Sequence, residues 1–196
     1  MTGPAVIDFT GAVLTGGSST RMGTDKATLE VGGRALAATV ARALDEAGAS
    51  SVLCIGGDLV GLAALGLDAR PDEHPGQGPL GGLITALGLA TTDLVVVLSC
   101  DLPAIDAATV SALVSALVAA PTASVAAPVV GRHTQTLTAA YRRSARPHLA
   151  QAFVAGERSV RRALAGLGLA PVGDLDPTRL VDVDRPADLR RYAAPS

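Results

Sequence analysis

The chain of 196 residues carries 16 Lys and Arg against 18 Asp and Glu, a formal charge of -2 at neutral pH, so it offers no broad basic field for a nucleic-acid backbone or an anionic membrane. Its residues are 48% hydrophobic but only 2% aromatic, with no Trp, which argues against base stacking as a binding mode and demands a core of Ala, Val and Leu. Neither Cys54 nor Cys100 has a His or second Cys at metal-ligand spacing, so both read as small core residues of a reducing compartment.

No Lys or Arg precedes Arg21, and the apolar runs fall well short of the roughly 20 residues of a membrane span. A soluble, cytoplasmic protein is expected. Short apolar runs bounded by Gly, Pro or Asp predict buried strands at Ala12 to Leu14, Val52 to Ile55, Leu94 to Leu98 and Ser124 to Ala127. Between them, Leu36, Val40, Leu44 and Ala47 have helical spacing, as do Val110, Leu113, Val114, Leu117 and Val118.

The first of these helices, from Ala35, should stop at Gly48, and a second should span Leu80 to Ala90 after a polar loop from Pro71 to Pro79. Gly131 to Gln135 reads as a turn, followed by a strand at Thr136 to Tyr141, helices over Ala145 to Leu167, a last strand near Leu180 to Val183 and a short helix begun by Pro186. Strands alternating with helices predict one α/β domain: a three-layer α/β/α arrangement, Rossmann-like, around a mostly parallel sheet with right-handed crossovers.

The segment from Leu14 through Thr15, Gly16, Gly17 and Arg21 to Lys26 follows the first strand directly. Ligands of parallel sheets bind beyond the carboxyl ends of strands. Glycines there let backbone amides approach phosphate oxygens, and Arg21 and Lys26 add the charge a triphosphate requires. The loop lacks both the Walker A pattern and the dinucleotide glycine spacing, which disfavours a P-loop ATPase and an NAD enzyme. Asp101 ends the predicted strand at Leu94, on the same edge; it either ligates a metal or caps the helix after Pro103. His74, His133 and His148 have no partner at useful spacing, so neither a catalytic triad nor a zinc site is supported.

These residues carry a family likeness. Leu14 to Lys26 resembles the L-A-G-G-x-S-x-R-M-G-x-D-K-A signature of the molybdenum cofactor guanylyltransferases, the MobA-like nucleotidyltransferases. Gln77 to Gly82 resembles the family's G-P-L-x-G, Cys100 to Pro103 its C-D-x-P, and Ala155 to Arg158 its A-G-E-R. Gln135 is similar to the Gln of Q-P-L, and Asp182 to Leu189 falls where the family has N-x-N-x-P-E-x-L. The chain departs from the pattern at Thr15 for Ala, at Thr136 for Pro, and at Asp182 and Asp184 for two Asn. Those aspartates look more like the related molybdopterin cytidylyltransferases.

The resemblance implies transfer of GMP from GTP to the phosphate of Mo-molybdopterin with release of pyrophosphate. Arg21, Lys26 and Asp101 would be catalytic. Leu14, Thr15, Gly16, Gly17, Lys26, Gly57, Asp72 and Asp101 would bind the nucleotide. Gln135, Arg158, Asp182 and Asp184 would bind the acceptor. Asp101 would hold Mg2+, with Asp184 a second ligand or the cap of the helix at Pro186. A phosphomonoester acceptor is mostly dianionic at neutral pH, so no general base is needed. A protein that delivers the pterin is a further expected partner. CMP transfer from CTP is the alternative reaction, and an inactive nucleotide-binding or partner-interaction protein the alternative of another class.

Overall fold

The computed structural model describes residues 7–16 and 26–183. Strand β1 (Phe9–Leu14) is followed by a hairpin of β2 (Glu30–Val31) and β3 (Arg34–Ala35), then by helix α1 (Leu36–Glu46), β4 (Ser51–Ile55), α2 (Leu59–Ala64) and β5 (Asp68–Arg70). Helix α3 (Pro79–Leu89), β6 (Leu94–Ser99) and α4 (Ala107–Ala119) come next. The chain continues through β7 (Val125–Val130), β8 (His133–Thr134), β9 (Thr138–Arg142), α5 (Arg146–Val154), α6 (Val160–Ala163) and β10 (Leu169–Val172).

The main sheet runs in the order β10-β7-β9-β6-β1-β4-β5, with β8 added to the end of β7. Strand β9 is antiparallel to both β6 and β7, while β1, β4, β5 and β6 pair in parallel, as do β7 and β10. The sheet is therefore mostly parallel, as expected. Alternate residues of each strand feed two cores, the requirement of a sheet covered on both faces. Val13, Cys54, Val96 and Leu98 pack with α1 and α4, whereas Ala12, Ile55, Val97 and Tyr141 pack with α3 and α5. Three α/β/α layers result.

Helix α1 buries Leu36, Val40 and Leu44 and ends where Gly48 turns to φ 90° and its N–H caps the Asp45 carbonyl. It lies unusually close to β1, because a Cβ at Gly11 would stand 3.0 Å from Leu44 Cβ and Cδ1. No helix among the described residues is long and apolar enough to cross a membrane.

The helices expected over Ala145 to Leu167 are two: Gly156, whose φ of 96° suits glycine, stops α5, and α6 is a single turn capped by the Ser159 hydroxyl. Two expectations are corrected. Val118 is an exposed residue of α4 rather than part of its buried face. The last strand among the described residues is Leu169–Val172, not Leu180 to Val183. Pro171 cannot donate to a ladder, and an edge strand tolerates it. Residues Pro177–Leu180 instead form a 3-10 turn capped by Asp176, with Arg179 paired to Asp106 at 3.2 Å. The short helix expected at Pro186 lies outside the described residues.

Candidate nucleotide site

The parallel register sets Leu14, Ile55 and Ser99 abreast at the carboxyl edge of three neighbouring strands. Ile55 is in turn abreast of Arg70 on β5. One or two residues beyond that row come Thr15 and Gly16, Gly56 and Gly57, Asp72, and Cys100 and Asp101. Strand β9 enters from the same edge, and the Ser99 N–H donates to the Leu137 carbonyl at 2.8 Å, which brings the Gln135 turn alongside. Residues scattered over most of the chain are thus gathered on one edge because parallel strands all end on the same side.

Lys26 Nζ lies 3.0 Å from Asp101 Oδ2, with 14% and 21% of the two side chains exposed. This pair joins the end of the glycine-rich segment to the end of β6. The other carboxylate oxygen, Asp101 Oδ1, is buried and accepts no hydrogen bond among the described residues. A buried anionic oxygen left in that state is costly unless a cation or donor meets it. Helix α4 takes its cap from Asp106, which accepts from the Thr109 N–H at 2.9 Å, so the capping role weighed for Asp101 falls to another residue. From the far end of the chain, the Val183 N–H donates to the Asp101 carbonyl at 2.9 Å, which places Asp182 in the segment crossing this strand end. Gly17, Arg21 and Asp184 lie outside the described residues.

Thr15 and Gly16 serve differently from the expected phosphate nest. Both amides donate to the Ile55 carbonyl at 3.0 Å, and the Thr15 hydroxyl reaches the carbonyls of Ile55 and Gly56 at 3.0 and 2.8 Å. These groups clamp the β1 loop to the β4 loop and are spent on backbone. The departure from Ala at this position adds that clamp. Gly56 and Gly57 have φ of 77° and 73°, and a Cβ on Gly56 would come 3.1 Å from Gly16 Cα. Gly56 was missed in sequence, although its place in a glycine pair directly after a strand is a readable sign of close backbone approach.

Asp72 is held, not freely solvated. Its Oδ1 accepts the His74 N–H at 2.9 Å and the Thr85 hydroxyl at 2.8 Å, and the same hydroxyl accepts the Glu73 N–H at 3.1 Å. Thr85 is fully buried in α3. Its role was invisible in sequence because it depends on the loop folding back onto the helix. The second oxygen, Oδ2, stands 3.8 Å from the position of a Cβ on Gly82, on the side where Leu14 packs.

In the C-terminal half, Arg158 is exposed but folded back onto α5. Its guanidinium stacks 4.0 Å over the Phe153 ring and donates to the Phe153 and Glu157 carbonyls and to Gln77 Oε1. His74 packs on Phe153 with ring centroids 4.5 Å apart. Arg158 therefore ties α5 to the Pro71–Pro79 loop, a positioning role for a residue expected at the acceptor. Gln135 is half-buried, and its N–H caps the Pro128 carbonyl at 2.9 Å. Among the described residues no cluster of three or more His, Cys, Asp and Glu could hold a metal. Mg2+ asks for less, since one or two carboxylates suffice beside phosphates and water.

A MobA-like NTP transferase domain matches residues 11–172. A probable molybdenum cofactor guanylyltransferase of Chloroflexus aggregans is 33% identical over 97% of this chain and 96% of its own length. A molybdenum cofactor guanylyltransferase of Cereibacter sphaeroides is 32% identical over 92% of this chain and 93% of its own. The fold is shared with molybdopterin-guanine dinucleotide biosynthesis protein A of Archaeoglobus fulgidus, at a TM-score of 0.76 and 23% identity over 93% of this chain and 96% of that one. It is also that of the 2-C-methyl-D-erythritol 4-phosphate cytidylyltransferase of Thermus thermophilus, at 0.71 and 21% over 96% and 98%. With the family pattern covering most of its length, the chain belongs to the MobA-like NTP transferases.

Proposed function

We propose that the protein is a molybdenum cofactor guanylyltransferase that transfers GMP from GTP to the phosphate of Mo-molybdopterin and releases pyrophosphate. The observation that carries this reading is the Lys26–Asp101 pair, with its unsatisfied Asp101 oxygen, on the shared carboxyl edge of β1, β4 and β6. The names of the curated relatives support guanine as the base. The protein acts as one domain, its first half taking the nucleotide and its second the acceptor. The cytoplasm is its expected compartment, and a pterin-delivering protein its expected partner.

Asp101, through Oδ1, is the residue to hold Mg2+, and Asp184 the candidate second ligand. When bound, the ion supplies positive charge beside the phosphates. The chain's own residues do the rest. Lys26, oriented by Asp101, balances charge on the triphosphate, and Arg21 adds a second cation from the same loop. Asp72, held by Thr85 and the His74 amide, presents one oxygen toward the nucleotide loop. A dianionic acceptor phosphate forms the new P–O bond to the α-phosphorus as the bond to pyrophosphate breaks. The residues named here position and neutralise; none is required to take a proton.

The test measures pyrophosphate release by the purified protein with Mo-molybdopterin, Mg2+ and either GTP or CTP. GTP should support turnover and CTP should not; turnover with CTP alone would replace guanine by cytosine, the choice that Asp182 and Asp184 motivate. Asp101→Asn should lower kcat by about 100-fold or more. Unchanged turnover in that variant would remove the metal assignment.

A further inference from the structure

Away from the Lys26–Asp101 pair, a cavity of about 290 Å³ lies over the face of β7. Its floor and walls are Val125, Leu164, Leu167 and Leu169, and its polar lining is Thr134, Thr136 and Arg161. The size is at the lower end for ligand pockets, enough for a bicyclic ring with a substituent. One end reaches Thr134, paired with Val129 near the carboxyl end of β7, and Thr136. Thr136 adjoins Leu137, whose carbonyl accepts from Ser99, two residues before Asp101. One end of the cavity therefore lies toward the edge on which Asp101 stands.

The arginines around it are not equivalent. Arg158 is spent on Phe153, Glu157 and Gln77, and Arg162 is held by both oxygens of Glu157 at 2.7 and 2.8 Å. Arg161, on α6 at the cavity wall, has no hydrogen bond or ion pair among the described residues, and neither do the Thr134 and Thr136 side chains. Three polar groups without partners thus surround one apolar floor. Two of them are hydroxyls, which donate and accept, and the third is a cation that only donates. Thr136 stands where the family pattern has Pro, so this chain has added a hydroxyl to the lining.

We infer that this cavity seats the pterin ring of the acceptor, with Arg161 donating to the ring carbonyl and Thr134 and Thr136 meeting its N–H groups. This inference rests on the proposed acceptor. It assigns acceptor recognition to Arg161 in place of Arg158. A pterin offers a flat apolar face to Val125 and the three leucines and a mixed donor and acceptor rim to the hydroxyls. Its phosphate arm then extends past Thr136 toward Asp101, where the new bond forms.

Two measurements test it. The first titrates 6-hydroxymethyl-7,8-dihydropterin by its fluorescence into protein saturated with a non-hydrolysable GTP analogue. The wild type should bind, and Arg161→Gln and Thr136→Val should each weaken binding by about tenfold. The second is turnover with Mo-molybdopterin, in which Arg161→Gln should raise the acceptor KM by about tenfold and leave the GTP KM within about twofold. Arg161 is exposed, so the fold should survive the change. If turnover proceeds with the acceptor KM of Arg161→Gln unchanged, the cavity assignment is overturned while the function stands. If the wild type binds the pterin through Arg161 yet transfers no GMP, the cavity stands and the proposed reaction falls. If no pterin binds, the cavity assignment is lost.

Discussion

Thr85 is a single hydroxyl in a helix otherwise built of Pro, Leu, Gly, Ile and Ala. Fully buried, it is matched by the Asp72 carboxylate and the Glu73 amide, and that pairing leaves the second oxygen of Asp72 beside Gly82, on the side where Leu14 packs. Thr85→Val keeps the shape and removes the hydroxyl, leaving a buried amide and a carboxylate oxygen each short of a partner. Stability should fall by about 1–3 kcal/mol. The GTP KM should rise several-fold with kcat nearly unchanged, and Thr85→Ser should restore it; an unaltered KM would confine Thr85 to a structural role. Asp72 itself was readable in sequence as a loop carboxylate. Its orienting partner was not, because the two residues meet only when α3 packs under the loop.

The elbow between α5 and α6 is organised by Glu157. Its carboxylate accepts from Arg162 Nε at 2.7 Å and from the amides of Arg158 and Ser159. The Arg162 hydrogen bond first, then the Ser159 amide, pulls its pKa down from 4.5 to about 2. Because the folded pKa is depressed, the contribution to stability is present above pH 4.5 and is lost as pH falls toward 2. Glu157→Gln should therefore lower Tm by a few degrees near pH 7, and the gap from wild type should close near pH 2. A gap that persisted unchanged down to pH 2 would mean that ionisation of the carboxylate is not what stabilises the elbow. The helices expected over Ala145 to Leu167 are separated at this elbow, where Gly156 and the carboxylate cap turn the chain by local geometry.

Across the whole molecule, both faces of the sheet are sealed by helices. Cys54 lies fully buried beneath α1, and burial, aided by the Asp68 charge, pushes its thiol up to about 12. The folded protein should leave Cys54 unmodified by a maleimide near pH 8, and labelling should begin with global unfolding. Its denaturant midpoint should coincide with that of the far-UV circular dichroism. Labelling that precedes it would reveal an opening of the β4 region before the rest. The alternation of strands and helices, the glycine-rich segment after the first strand and the carboxylate after the sixth were legible in the chain itself, because buried parallel strands demand continuous apolar runs and strand ends demand turn residues. What only the tertiary structure decided was which groups remained available. Register places Leu14, Ile55 and Ser99 side by side. Packing then spends the Thr15 and Gly16 amides on Ile55 and Arg158 on Phe153 and Gln77, and leaves Asp101 Oδ1 and Arg161 without partners among the described residues. Composition and spacing specify what each residue could bind, but hydrogen bonds between residues far apart in sequence determine which of them is free to do so.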